Sequence, residues 1–128
     1  MDRWVAEFAK TVQHRSAGQS DFALDLIDLL LQKTKEFNDE APAGSKFAIK
    51  VTAKVEDVEV TNGYKTAAAY STFLPGTIFI RVWNNSTERA FEGSLRNTSD
   101  GFEPEGIPSE CSDPSGLAEW MIHEIFEP

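Results

Sequence analysis

The chain is poor in the residues that most often carry chemistry. Among 128 residues it has one cysteine, Cys111, and two histidines, His14 and His123. A single cysteine excludes an internal disulfide and fits a reducing compartment. No apolar run approaches the 18 residues of a membrane span; the longest, Leu29-Leu30-Leu31, sits among Asp25, Asp28 and Gln32. The first residues, Met1-Asp2-Arg3-Trp4, do not form a basic leader before an apolar stretch. The expected location is therefore cytoplasmic, in the producing cell or a host cell. Asn84-Asn85-Ser86-Thr87 and Asn97-Thr98-Ser99 match glycosylation acceptor patterns, but without a leader they read as turn residues.

Catalytic signatures are missing too. There is no Gly-x-Ser-x-Gly elbow, and the eight glycines are scattered rather than gathered in a phosphate-binding loop. His123-Glu124-Ile125-Phe126-Glu127 lacks the second histidine of a zinc protease, although Glu119, His123 and Glu127 share one helix face. Cys111 lies among acids that raise a thiol's pKa and blunt its reactivity. The expectation is a non-enzyme without metal or cofactor. With 12 Lys+Arg against 21 Asp+Glu, the net charge of −9 also argues against broad binding to a phosphate backbone.

What remains is an ordinary globular composition, 41% hydrophobic and 26% charged, with a length that suits one domain over residues 1–128. Asp2 can cap a first helix, with Trp4, Val5, Phe8, Ala9 and Val12 on one side. Ala17-Gly18-Gln19 reads as a break. Ser20 and Asp21 then start a second helix to about Phe37. Its apolar face is Ala23, Leu26, Ile27, Leu30 and Phe37, widened by Leu24 and Leu31. Asp21, Asp25, Asp28, Gln32 and Glu36 form its polar stripe. Asn38 to Ser45, with Pro42 and Gly44, reads as a loop.

The period then changes to two. Phe47, Ile49, Val51, Ala53 and Val55 alternate with polar residues, and Val58 and Val60 continue out of phase by one residue. A β-bulge at Glu56-Asp57 is the expected remedy. Asn62-Gly63 predicts a type I′ hairpin turn. A second strand is expected from Tyr64 to Phe73, a type II turn at Pro75-Gly76, a third strand at Thr77–Asn84 and a fourth at Glu88–Arg96. In the third strand Phe79, Arg81 and Trp83 share a face. They read either as a platform for stacked bases or as part of the core under a helix. Residues 97–113 read as one long acidic loop, of the length that functional or mobile loops have. Asp113-Pro114 predicts the start of a last helix carrying Leu117, Trp120, Met121, Ile122, Ile125 and Phe126. The predicted class is α+β: two N-terminal helices, a four-stranded antiparallel meander, a long acidic loop and a C-terminal helix, with the helices on one sheet face.

The charge is unevenly placed. Residues 1–99 are almost neutral, with 12 basic and 13 acidic side chains, whereas residues 100–128 hold eight acids and no Lys or Arg. The eight are Asp100, Glu103, Glu105, Glu110, Asp113, Glu119, Glu124 and Glu127. One reading has Lys46, Lys50, Lys54, Lys65, Arg81, Arg89 and Arg96 neutralise them within the fold. The other has them exposed, engaging a basic surface of a partner, including one that itself binds nucleic acid. The expected function is a non-catalytic protein-binding module that inhibits or neutralises another macromolecule, in the manner of immunity proteins or phage-encoded anti-defence proteins. Two alternatives stand beside it. One is an assembly subunit, of a virion or other homo-oligomer, that mates through the second helix or an edge strand. The other is a small enzyme or ligand-binding domain with a pocket between sheet and helices.

Overall fold

Gly18 does not break the N-terminal helix. In a computed structural model, which describes residues 3–40, 48–74, 76–98 and 100–127 (without the side chains of residues 3, 8, 11–17 and 72–74), one helix α1 runs over Arg3–Glu40. The two helices expected from sequence are therefore one. A glycine inside a helix costs about 1 kcal/mol against alanine, which a long helix tolerates when packing needs the space. Here it does: a Cβ on Gly18 would sit 2.9 Å from Nδ2 of Asn97. The glycine marks a close approach to the sheet rather than a turn. Of the loop expected at Asn38–Ser45, residues 38–40 belong to the helix and the rest lie outside the described residues, as do Lys46 and Phe47.

Six strands follow, not four: β1 Lys50–Lys54, β2 Asp57–Thr61, β3 Lys65–Leu74, β4 Thr77–Asn84, β5 Ala90–Thr98 and β6 Gly101–Glu105. They form one antiparallel sheet in sequential order β1 to β6. A short helical turn η1 (Ser109–Ser112) leads to the last helix α2 (Pro114–Phe126). The long loop expected at 97–113 thus contains an edge strand. Phe102 and Pro104 turn toward the core while Glu103 and Glu105 turn out, and Pro104 is tolerated because an edge strand can spare a donor.

The second extra strand comes from residues 50–61. Lys54 pairs with Asp57, and Val51 with Val60, so Val55-Glu56 is a two-residue hairpin turn, not a bulge. Both devices shift the in–out phase by one residue, which is why the phase of Val58 and Val60 could not separate them. The turn lacks the usual signature: Val55 takes φ 56°, a left-handed conformation that a β-branched residue rarely adopts. The Asn62-Gly63 hairpin is present, but its turn is not type I′. Only Gly63 has positive φ, and the Asn62 side chain accepts hydrogen bonds from Tyr64 N–H and Lys65 N–H at 3.0 Å each. Gly76 has φ 80°, as the second central position of a type II turn requires; Pro75 lies outside the described residues.

Both helices cover one face of the sheet. Ile49, Val58, Val60, Ala67, Ala69, Ile78, Ile80, Val82 and Leu95 meet Phe22, Leu26, Ile27, Leu30, Leu117, Met121 and Ile125 in a single core. Helix α1 crosses the sheet obliquely. Near Gln19 it lies over the β3–β4 turn, and Phe22 packs on Phe102 of β6 with ring centroids 4.5 Å apart and the rings tilted by 48°. At its other end Asn38 grips Ile49 beside β1, accepting from its N–H and donating to its carbonyl at 2.8 Å each. Helix α2 fills the remaining area, with Trp120 edge-on to Phe91 at 5.7 Å. Asp113 caps it by accepting from Gly116 N–H at 2.8 Å, with Pro114 at the first position, as read from sequence.

Two substitutions test this description. Val55→Asn removes the β-branched residue from a left-handed position and should raise stability by about 1 kcal/mol, or about 4 °C in a thermal melt. A melting temperature that falls would contradict the turn geometry. Gly116→Ala should destabilise by about 3 kcal/mol, because its Cβ would lie 1.8 Å from the Glu110 carbonyl oxygen, a backbone atom that cannot rotate away. Chemical denaturation of the purified variant reads the difference.

Candidate interaction surface

The eight acids of the C-terminal segment do not share a surface. Glu103 and Glu105 stand on β6 and point to the sheet face that the helices leave open; Asp100 lies in the β5–β6 turn. Glu110, Asp113, Glu119, Glu124 and Glu127 belong to the helical layer, on the other side of the sheet. All are exposed except Glu124, which is half-buried.

Internal neutralisation accounts for little of this charge. Lys50 and Lys54 lie on β1, and β6 is the opposite edge, five strand spacings or roughly 24 Å away. Lys46 is outside the described residues. Among the described residues, Arg96 pairs with Glu103 at 3.4 Å and Lys33 of α1 pairs with Glu119 at 3.1 Å. Arg81 faces Glu92 at 3.8 Å, and Lys65 Nζ donates to the main-chain carbonyl of Glu127 at 3.2 Å. These pairs are solvent-exposed and each contributes at most about 1 kcal/mol.

The acids of α2 find new neighbours instead. Asp21, Asp25, Asp28, Glu36, Asp39 and Glu40 are exposed along α1, and α1 and α2 lie side by side. From residue 18 of α1 through its end, and from η1 through Glu127, the helical layer carries 11 acids against Lys33 and Lys35. Its net charge is −9, as large as that of the whole chain. Asp25, Asp28 and Asp113 line a groove of about 400 Å³ between the two helices, with Leu29, Pro114 and Ser115 as its remaining walls. Beside the α1 acids, Leu24 is 52% and Leu31 49% exposed. Sequence reading placed Asp21, Asp25, Asp28 and Glu36 on one stripe but assigned them no role. Their joining with the C-terminal acids depends on the α1–α2 contact, for which a single stripe gives no signal.

The open face of the sheet is the other exposed feature. Phe79, Arg81 and Trp83 stand on it, while Ile78, Ile80 and Val82 face the helices. The expectation that the aromatics complete a core under a helix is therefore incorrect. The Arg81 guanidinium lies 5.3 Å from the centre of the Trp83 ring, so it shields that ring. Tyr70 donates to Glu59 at 3.3 Å, and burial, then the Glu59 charge, raises its phenol pKa. Tyr70, Phe79, Arg81 and Glu92 border an open groove of about 310 Å³.

The candidate reactive groups are not gathered into a site. Among the described residues no three His, Cys, Asp or Glu side chains come close enough to hold a metal. His123 is exposed beside Glu119 and Trp120, and the side chain of His14 lies outside the described set. Cys111 is fully buried in η1, where burial first, and then Glu110, Asp113 and Glu124, push its thiol up to about 12. No family model matches the chain, and neither the curated proteins nor the solved structures yield a match.

The Cys111 environment makes a direct prediction. The native protein at pH 8 should resist iodoacetamide, and alkylation should be rapid only in denaturant. The same burial gives a sign for stability. The unfolded thiol releases its proton near pH 9 and the folded one near 12, so the contribution is intact below pH 9 and declines as pH rises from 9 toward 12. Cys111→Ala should flatten that part of the pH–stability curve.

Proposed function

We infer that the protein is a non-catalytic binding module whose acidic helical layer engages a basic surface of another macromolecule, blocking it in the manner of an inhibitor. One observation carries the reading: the fold collects acids from two distant segments onto the helical layer, leaving only Lys33 and Lys35 among 11 carboxylates. Such a surface speeds encounter with a cationic partner and weakens as salt rises. Leu24 and Leu31 add what charge alone does not, namely apolar contact that a docked partner can desolvate.

Glu110, Asp113, Glu119, Glu124 and Glu127 keep the role expected of them, and Asp21, Asp25, Asp28 and Glu36 join them. Asp100, Glu103 and Glu105 become peripheral, because a partner docked on the helices does not reach β6 on the open side of the sheet. A basic protein that itself holds nucleic acid suits this surface, since spaced carboxylates imitate phosphates electrostatically. An assembly subunit remains the alternative reading, and the exposure of Leu24 and Leu31 serves it as well.

The test compares two charge reversals in affinity capture from lysate at low and high salt. Asp25→Lys with Asp28→Lys should abolish salt-sensitive partners identified by mass spectrometry. Glu103→Lys with Glu105→Lys should retain them, and both variants should melt as the parent does. Loss with the β6 pair and retention with the α1 pair would place the surface on the open sheet face and reject this reading.

A further inference from the structure

The sheet face turned away from the helices carries an ordered pattern. One row of paired residues crosses all six strands: Lys54, Asp57, Tyr70, Phe79, Ser94 and Glu105. Its two ends have opposite charge. Lys54 and Glu105 are both exposed, and among the described residues neither makes an ion pair. Its centre is aromatic, with Tyr70 directly opposite Phe79 and both half-buried.

The next row is Thr52, Glu59, Ala68, Arg81 and Glu92. Ala68 is at 0% exposure although no helix covers it, so it forms the floor of this face. In the third row Thr66, 5% exposed, stands opposite Trp83. Every side chain in these rows is among those described. An aromatic centre with charged edges is the composition of a protein interface rather than of a solvated sheet face.

We propose that this face binds the same face of a second copy, the two sheets packing about a two-fold axis parallel to the strands. With the axis between β3 and β4, β1 lies on the partner's β6, β2 on its β5 and β3 on its β4. In the first row Lys54 then meets Glu105 of the partner subunit, and Tyr70 meets the partner's Phe79. The rotation makes each of these contacts twice. In the second row the partner's Arg81 lands on Ala68, where the low floor leaves room for a long side chain. There it stands beside both acids that the rotation brings together, Glu59 and the partner's Glu92, and offsets their repulsion.

The charge order selects a second copy as the occupant. Because the sign reverses from the β1 edge to the β6 edge, the face is complementary to its own rotated image, in register along the row from Lys54 to Glu105. Such an isologous contact closes a dimer rather than a fibre. The acidic helical layers then point outward with both sheets between them. The sheets alone are about 10 Å apart, so the layers are separated by more than the Debye length of about 8 Å at physiological salt. The surface is distinct from the helical layer, and the inference does not rest on the proposed function.

Sedimentation and light scattering of the full chain from low micromolar to near-millimolar concentration test the proposal. The expected result is a monomer in equilibrium with a dimer of twice 14.2 kDa. Lys54→Glu and Glu105→Lys should each weaken the dimer about tenfold or more, since each turns two ion pairs into two like-charge contacts. The double variant exchanges the charges of the pair and should restore dimerisation to near the parent's. Both sites are exposed, so all three variants should melt as the parent does at low micromolar concentration, where the monomer prevails. A parent that stays monomeric at every concentration overturns the proposal. A dimer that neither single reversal weakens overturns it too, as does a double variant that dimerises no better than the single ones.

Discussion

Two side-chain amides fix where the long helix lies, and most of the architecture follows from them. Gln19 reaches the β3–β4 turn: it accepts from Gly76 N–H at 2.7 Å and donates to the carbonyls of Thr77, at 2.7 Å, and Ser71. Asn38 does the same for Ile49 at the far edge of the sheet. Nineteen residues of helix span roughly 28 Å, and strands of eight to ten residues span roughly 26–33 Å. The clamps therefore match the helix to the sheet at both ends. Each bond contributes only about 1 kcal/mol, but losing the Gln19 amide would leave the buried Gly76 N–H unpaired at a higher cost.

The same constraint rearranges the charge. In sequence, the acidity belongs to the last 29 residues and the helix stripe is a minor feature. Once α1 is pinned diagonally, α2 has one place to pack, alongside it, and Lys33 meets Glu119 across the seam. The acids of α2 and α1 become neighbours although about 90 residues separate Asp25 from Asp113. Meanwhile β6, which is part of the same acidic segment, completes the sheet and carries Glu103 and Glu105 to the opposite side. A linear segment of charge is thereby divided between two surfaces, and only one of them gains from the division.

The parts legible in the sequence were those set by local chemistry. The Asp113-Pro114 cap, the hairpin at Asn62-Gly63, the Gly76 turn and the in–out alternation of β4 follow from a few adjacent residues each. The errors fall where a distant contact decides. Gly18 looked like a helix breaker because its reason for being glycine, Asn97, lies 79 positions away. Val55-Glu56 looked like a bulge because a valine at positive φ carries no turn signal, and only the pairing of Val51 with Val60 shows the hairpin. Residues 101–105 looked like loop because Gly101 and Pro104 are poor strand formers, yet an edge strand accepts both. The candidate surface follows the same pattern. Both of its halves were visible, and their adjacency was not.

The acidic helical layer also works against the fold that creates it. Asp21, Asp25 and Asp28 stand at like-charge spacings on α1, and Asp39 and Glu40 lie at its C-terminal end, where the helix dipole disfavours carboxylates; Glu124 and Glu127 do the same on α2. Each position costs a few tenths of a kcal/mol, and together they remove a measurable part of a stability of only 5–15 kcal/mol. The core does not need them, since it is complete without any of these side chains. Basic residues would be better at the C-terminal end of each helix, yet the last turn of α1 has none and that of α2 has only His123. The fold bears this charge pattern at a loss, while the sheet from Lys50 to Glu105, with 6 basic and 8 acidic side chains, stays close to neutral.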